Sequence, residues 1–288
     1  MLCAILNSGD DALYGGRTRQ TTHSTRIHPN PNPPNGKGTS SSIMIRFPRT
    51  IGHRGARGYA PENTLAGIRT AAEQGVCWVE VDVKLTRDGV PILMHDDTVD
   101  RTTDGRGAVA SMDFADLRRL DAGKPFGPEF AGEKIPTLEE TLALVFELGL
   151  GINLEIKPCP GREEETAFKT LDTARALWPA DRPPPLISSF ELPSLEVALA
   201  HAPEWPRGYL IDRRPADWAA IADRLQATTL NVNARREDEQ SIAAYLATGR
   251  PVLAYTVNDP AQARRLIDLG VSAVFTDYPR DVLPVLGD

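Results

Sequence analysis

Between residues 50 and 276 short apolar runs alternate with helix-length stretches, and this rhythm limits the fold more than any other property of the chain. Strands are expected at 50–53, 78–85, 91–95, 151–157, 186–190, 208–212, 229–233, 252–257 and 273–276. Helices are expected between most of them, at 62–75, 137–149, 163–177, 191–201, 215–226, 237–248 and 259–269. Repeated strand-then-helix units build a parallel sheet with helices outside it. Nine strands are one too many for an eight-stranded barrel, and the link "LTRDGVP" between the second and third is too short for a crossover helix. Those two therefore form an antiparallel hairpin around Arg87-Asp88-Gly89. Its register sets position 82 opposite 94 or 95 and makes Asp82 and His95 neighbours. Eight parallel strands remain, so the expected fold is α/β, a TIM (β/α)8 barrel. Residues 96–135, loop rich with one short helical piece, are an insertion at its C-terminal mouth. The 288-residue chain has room for one such barrel of about 250 residues.

Residues 1–43 read differently. "HPNPNPPNGKGTSSS" is rich in Pro, Asn, Gly and Ser and cannot bury enough apolar surface to offset the entropy of ordering it. The segment is expected to be a disordered leader or, by preference, to precede a true start at Met44, since "MIRFPRTIGHRG" leads directly into the first strand. The barrel domain then spans 44–288. "MLCAILNSGDD" lacks the basic n-region and the length of a signal peptide, and no stretch approaches the roughly 20 apolar residues of a membrane span. A cytoplasmic protein without membrane insertion is expected. The three cysteines, Cys3, Cys77 and Cys159, show no metal-site spacing, and no disulfide framework is expected. A net charge of −7 argues against nucleic acid or an anionic membrane as partner, because both require a clustered basic surface. Any anionic substrate must then be met by local charge.

Active sites of such barrels are built at the C-terminal strand ends. His53 and Arg54 end the first strand, Glu80 and Asp82 lie near the end of the second, and Glu155 and Lys157 end "INLEIKP". Side chains alternate along a strand, so Glu80 and Asp82 share one side, as do Glu155 and Lys157. On an ordinary half-buried strand such residues would face solvent. Barrel strands are covered on both faces, where charge is costly unless compensated. Three converging carboxylates raise one another's pKa unless a cation sits between them, and an all-oxygen set suits one divalent Mg²⁺ or Ca²⁺ rather than zinc. Arg54 and Lys157 offer donors to phosphate oxygens. His53 and His95 can serve as general base and general acid. His23, His28 and His201, in the leader or on a helix, keep a structural reading. Glu62 and Asn63 follow Pro61 at the start of a helix, where capping is an ordinary role, more so for Asn63.

These residues lie in a series of segments, "GHRGARGYAPENTLAG", "VEVDVKLTRDGVPILMHDDTVDRTTDGRG", "IPTLEE", "NLEIKP", "ISSF", "AYTVN" and "FTDYP". In order and spacing, from about residue 50 to 280, they resemble the glycerophosphodiester phosphodiesterases, most of all the short cytoplasmic bacterial enzymes. The resemblance implies a barrel enzyme that hydrolyses glycerophosphodiesters, such as glycerophosphocholine or glycerophosphoethanolamine, to an alcohol and sn-glycerol 3-phosphate. It assigns Glu80, Asp82 and Glu155 to the metal, with His53 as base and His95 as acid in a route through a cyclic phosphate. Arg54 and Lys157 match phosphate-contacting positions, and Glu62 matches a glutamate near metal and glycerol. Tyr255 in "AYTVN" stands where many members carry tryptophan; it keeps an aromatic wall but adds a hydroxyl. Two alternatives stay open: a lysophospholipase D using the same site, and a non-catalytic binding protein for glycerophosphodiesters. The first would want an apolar entrance in the insertion, which offers little beyond Phe114, Phe126 and Phe130.

Overall fold

β2 (Trp78–Leu85) carries the pattern that sets the architecture: Val79, Val81 and Val83 alternate with Glu80, Asp82 and Lys84, and all six are buried. Buried polar and apolar side chains on opposite faces of one strand require a covered sheet with two different environments. A computed structural model describes residues 47–287; the expectations for residues 1–43 lie outside the described residues, as does Cys3. The first strand is β1 (Thr50–His53), followed by α1 (Leu65–Glu73), β2, β3 (Pro91–Leu93), the short α2 (Phe114–Leu117) and α3 (Leu138–Glu147). Then come β4 (Gly151–Ile156), α4 (Glu163–Leu177), β5 (Leu186–Ser189), α5 (Leu192–His201), β6 (Arg207–Ile211) and α6 (Trp218–Arg224). The last elements are β7 (Thr229–Asn233), α7 (Glu239–Leu246), β8 (Val252–Tyr255), α8 (Pro260–Asp268), β9 (Ala273–Thr276) and α9 (Pro279–Leu286).

The parallel strands run β1-β9-β8-β7-β6-β5-β4-β2, and β2 pairs back to β1, closing an eight-stranded barrel. β3 is antiparallel to β2, with Val83 opposite Leu93, and the Met94 N–H donates to the Asp82 carbonyl at 3.0 Å. Gly89, at φ +79°, makes the hairpin turn, a conformation that costs glycine nothing. The valines of β2 join Ile152, Leu154 and Ile156 of β4 in the layer beneath α1, α3 and α4, and a matching layer lies under α6, α7 and α8. Inside the barrel, Ile51, Leu186, Leu253 and Phe275 form a separate apolar cluster. The barrel floor is thus sealed, and polar side chains occupy the strand ends above it.

The insertion has a core of its own, Ile92, Met94, Val99, Val109, Leu117 and Ile135 among others. It returns to the barrel through Thr137, which with Glu140 forms a reciprocal capping box on α3, as "PTLEE" favours.

Two details depart from the sequence reading. α1 starts at Leu65 rather than 62, because Thr64 is its cap, accepting from the Gly67 N–H, while Asn63 is turned away at φ +56°. α9 lies beyond the expected helices; "PRDVLPVL" hides it because Pro279 suits a first turn whereas Pro284 removes an interior donor. It forms nonetheless, because Val282 and Leu286 are fully buried. Cys159 is a free, buried thiol. No described helix is long and apolar enough to cross a membrane.

Candidate active site

Strand register alone assembles most of the site. His53 of β1 is level with Glu80 of β2, and Asp82 of β2 is level with Glu155 of β4. Alternation then turns Glu80, Asp82 and Glu155 to the barrel interior at its C-terminal end. One oxygen from each of the three lies within 4.8 Å of the others, and all three residues are buried. Burial first, then the charges of Asp82 and Glu155, push the Glu80 pKa well up; burial also raises that of Glu155, against the pull of Lys157. Asp82 goes the other way, to about 2: burial pushes it up, but Arg54, Lys157, His95 and a hydrogen bond from Asn63 together outweigh that push. Glu80 Oε1 is buried without a hydrogen-bond partner. A buried carboxylate oxygen facing two more carboxylates is where a hard divalent cation fits, so the three residues form a donor set that could hold a metal ion.

Cations ring this cluster. The Arg54 N–H donates to Glu80 Oε2 at 2.9 Å, and Arg54 Nε lies 3.1 Å from Asp82 Oδ2 without hydrogen-bond alignment. Reaching this position puts Arg54 at φ +52°, a left-handed conformation that costs roughly 1–2 kcal/mol for a non-glycine residue. Lys157 Nζ bonds Glu155 Oε1 at 2.7 Å and stands 4.9 Å over the Phe190 ring. Both cations line a cavity of about 300 Å³ together with His53, Glu80, His95, Glu155 and Tyr255. Tyr255 meets Phe190 edge to face, and its hydroxyl donates to the Ile211 carbonyl at 2.9 Å. The hydroxyl that tyrosine carries in place of an indole N–H is therefore satisfied by a backbone carbonyl.

Each histidine has its Nδ1 held by a carboxylate. His53 Nδ1 lies 2.6 Å from Asp277 Oδ1, and His95 Nδ1 lies 2.6 Å from Asp96 Oδ1. A carboxylate only accepts, so both rings carry a proton on Nδ1 and are left with an unprotonated Nε2, that of His53 lying 3.9 Å from Glu80 Oε2. Burial is the largest influence on both pKa values and lowers them; the partnering carboxylates oppose it.

Glu62 and Asn63 take positions that sequence alone does not distinguish. Glu62 Oε1 accepts from Arg54 and Arg101, and Oε2 accepts from Arg57 and Arg101, all at 2.7–2.8 Å. It borders a neighbouring hollow shared with Arg57, Arg101 and Phe126, rather than the carboxylate cluster. Asn63 is not a cap: its Nδ2 donates to Asp82 Oδ2 at 2.8 Å, and its Oδ1 accepts the Asp82 N–H at 3.0 Å. It clamps a carboxylate of the cluster. Asp96, Arg57, Arg101, Asn258 and Asp277 carry no role in the sequence reading. All five fall in or beside the segments that follow strand ends, which is the signal available for them.

Three buried carboxylates, two cations and two carboxylate-held histidines at one barrel mouth are groups that hydrolysis of a phosphodiester can use. The chain belongs to the glycerophosphoryl diester phosphodiesterase family, whose pattern matches residues 53–281, and it is a hydrolase of that class. It is 41% identical to an Oleispira antarctica phosphodiesterase solved with its product sn-glycerol-3-phosphate, covering 84% of this chain and 97% of that one at a TM-score of 0.81. Glycerophosphodiester phosphodiesterases of Caldanaerobacter subterraneus and Bacillus subtilis are 34% and 33% identical, over 81% and 80% of this chain and 95% and 83% of theirs.

Proposed function

We propose that this protein hydrolyses small glycerophosphodiesters, such as glycerophosphocholine or glycerophosphoethanolamine, to an alcohol and sn-glycerol 3-phosphate. The observation that carries the reading is the buried trio Glu80, Asp82 and Glu155 beside two histidines, each with Nδ1 held by a carboxylate. These three carboxylates would hold one Mg²⁺ or Ca²⁺. Bound there, such an ion supplies charge neutralisation and polarisation of phosphoryl oxygens. Arg54 and Lys157 hold the phosphodiester oxygens against the cluster. His53 Nε2 takes the proton from the glycerol 2-hydroxyl as that oxygen attacks phosphorus. His95 Nε2 gives a proton to the departing alcohol oxygen, leaving a cyclic phosphate. Water then opens the ring with the two histidines in exchanged roles, giving sn-glycerol 3-phosphate. Tyr255 and Phe190 wall the substrate, and Glu62 keeps Arg54 and Arg57 oriented. A small, polar, water-soluble substrate suits a cytoplasmic enzyme.

A lysophospholipid substrate is less favoured. Phe114 packs against the insertion's own core, and Phe130 meets Phe126 edge to face, so Phe126 alone of the three is exposed toward the neighbouring hollow, a single ring against an acyl chain. The test of the chemistry is a 2-deoxy analogue of glycerophosphocholine, which lacks the internal nucleophile. It should compete with substrate yet remain uncleaved; turnover at the normal rate would eliminate the cyclic route.

A further inference from the structure

His53 can accept a proton only if its Nε2 is bare, and nothing in an imidazole fixes that choice; the partner of Nδ1 does. We propose that Asp277 is the positioning residue that imposes this tautomer, and that Asn258 locks Asp277 in the polarity it needs. The inference rests on the reading of His53 as proton acceptor given above.

The lock is directional. The Asp277 backbone N–H donates to Asn258 Oδ1 at 2.9 Å, and the Thr276 hydroxyl donates to the same oxygen at 3.3 Å. A backbone N–H can only donate, so the Asn258 amide cannot be flipped, and its Nδ2 must face Asp277 Oδ2, which accepts it at 2.8 Å. Arg57 Nη1 points at the same oxygen from 3.3 Å. Donors thus occupy one oxygen of Asp277, and the other, Oδ1, receives His53 Nδ1–H at 2.6 Å. Both side chains of the pair are nearly buried, 12% and 11% exposed, so water offers no ready substitute. Asp277 follows the last residue of β9, His53 closes β1, and these strands are neighbours; the pairing follows from the barrel register.

The geometry makes an isosteric change informative. In Asp277→Asn the introduced carboxamide must turn its oxygen to the two donors, Asn258 Nδ2 and Arg57 Nη1. Its NH₂ group then faces His53 Nδ1, which has to become an acceptor, and the ring proton moves to Nε2. His53 keeps its place but can no longer take a proton. Adding Asn258→Asp reverses this. The carboxylate at position 258 still accepts the backbone N–H of position 277 and also accepts from the introduced NH₂ group. The carboxamide oxygen at position 277 is thereby freed for His53 Nδ1–H. Arg57, 36% exposed, can turn toward Glu62, which it already contacts.

The experiment measures kcat and KM for glycerophosphocholine in the metal-supplemented full chain, with ¹⁵N spectra of His53 to read its tautomer and thermal melts to verify folding. D277N should lower kcat by about 10²–10⁴-fold, as loss of a general base does, with KM changed less than about 3-fold, and the Nε2–H tautomer should appear. D277N/N258D should recover at least about tenfold of the lost kcat and the native tautomer. A folded D277N within about 3-fold of native kcat, or one that loses activity with an unchanged tautomer, overturns the proposal. A folded double variant with no recovery also overturns it. H53Q separates this from the underlying reading: an active H53Q removes His53 from the mechanism altogether, whereas inactive H53Q with active D277N removes only the role of Asp277.

Discussion

The two histidines differ in setting more than in chemistry. His53 pairs with the nearly buried Asp277, whereas Asp96, which holds His95, is itself held by Arg101 Nε at 2.7 Å. Replacing His95 by Ala should lower kcat by roughly 10²–10⁴-fold; retained activity would remove it as proton donor. Burial lowers the His53 pKa below its ordinary 6.5, and Asp277 only partly opposes this. A base must be neutral, so activity is lost as pH falls through that lowered value. The acidic limb of kcat/KM should therefore lie below pH 6.5, and a limb at or above about 7 would contradict the assignment. Glu80 makes a different statement. A carboxyl whose pKa is raised in the fold destabilises the native state once pH rises above its ordinary 4.5. At neutral pH the metal-free protein is thus strained at this cluster. Glu80→Gln should raise the melting temperature of EDTA-treated protein while abolishing activity and the thermal shift on adding Mg²⁺ or Ca²⁺. A lower melting temperature for the variant would mean that the carboxylates are compensated within the protein.

Among the elements, the segment from β1 to α1 is the one under most constraint. Gly55 sits at φ +85°, and a Cβ there would lie 2.5 Å from the Gly67 carbonyl carbon on α1. Strand end and helix start touch backbone to backbone, which is what brings Arg54 onto Glu80 and Asn63 onto Asp82. Gly55→Ala should cost about 2–4 kcal/mol through overpacking and a disfavoured dihedral, lowering the melting temperature by roughly 5–15 °C for a domain of this size. An unchanged melt would show that the loop relaxes freely. The barrel itself is legible in the sequence because its cue is periodic: eight parallel strands and the hairpin follow from runs and turns, with position 82 opposite 94 or 95, and the structure sets it opposite Met94. The trio Glu80, Asp82 and Glu155 is legible because alternation puts charges on covered strand faces. What escapes is set by tertiary contact. Asn63 looks like any residue at a helix start until Asp82 arrives from β2, and Asp277 looks like loop until β9 closes against β1. α9 escapes because its prolines contradict a helix that only burial explains.

For the whole molecule, the barrel divides its interior into an apolar floor around Ile51, Leu253 and Phe275 and a charged mouth. The stability of that mouth includes a contribution from carboxylates that stay ionised. Asp277, held at about 2 against the upward push of burial by its bonds to His53 and Asn258, contributes stability above its ordinary 3.8 that is lost as pH falls toward about 2. Acid unfolding should therefore set in between about pH 4 and pH 2, and D277N should flatten that part of the stability profile; an unchanged profile would show that the Asp277 pairing adds nothing to the fold. Metal-dependent catalysis is tested most directly by incubating the purified protein with glycerophosphocholine and assaying sn-glycerol 3-phosphate, with EDTA and after Mg²⁺ or Ca²⁺ is restored. Product release that EDTA abolishes and the added ion restores is the predicted result. Release unaffected by EDTA, or no release with either ion, would contradict the account.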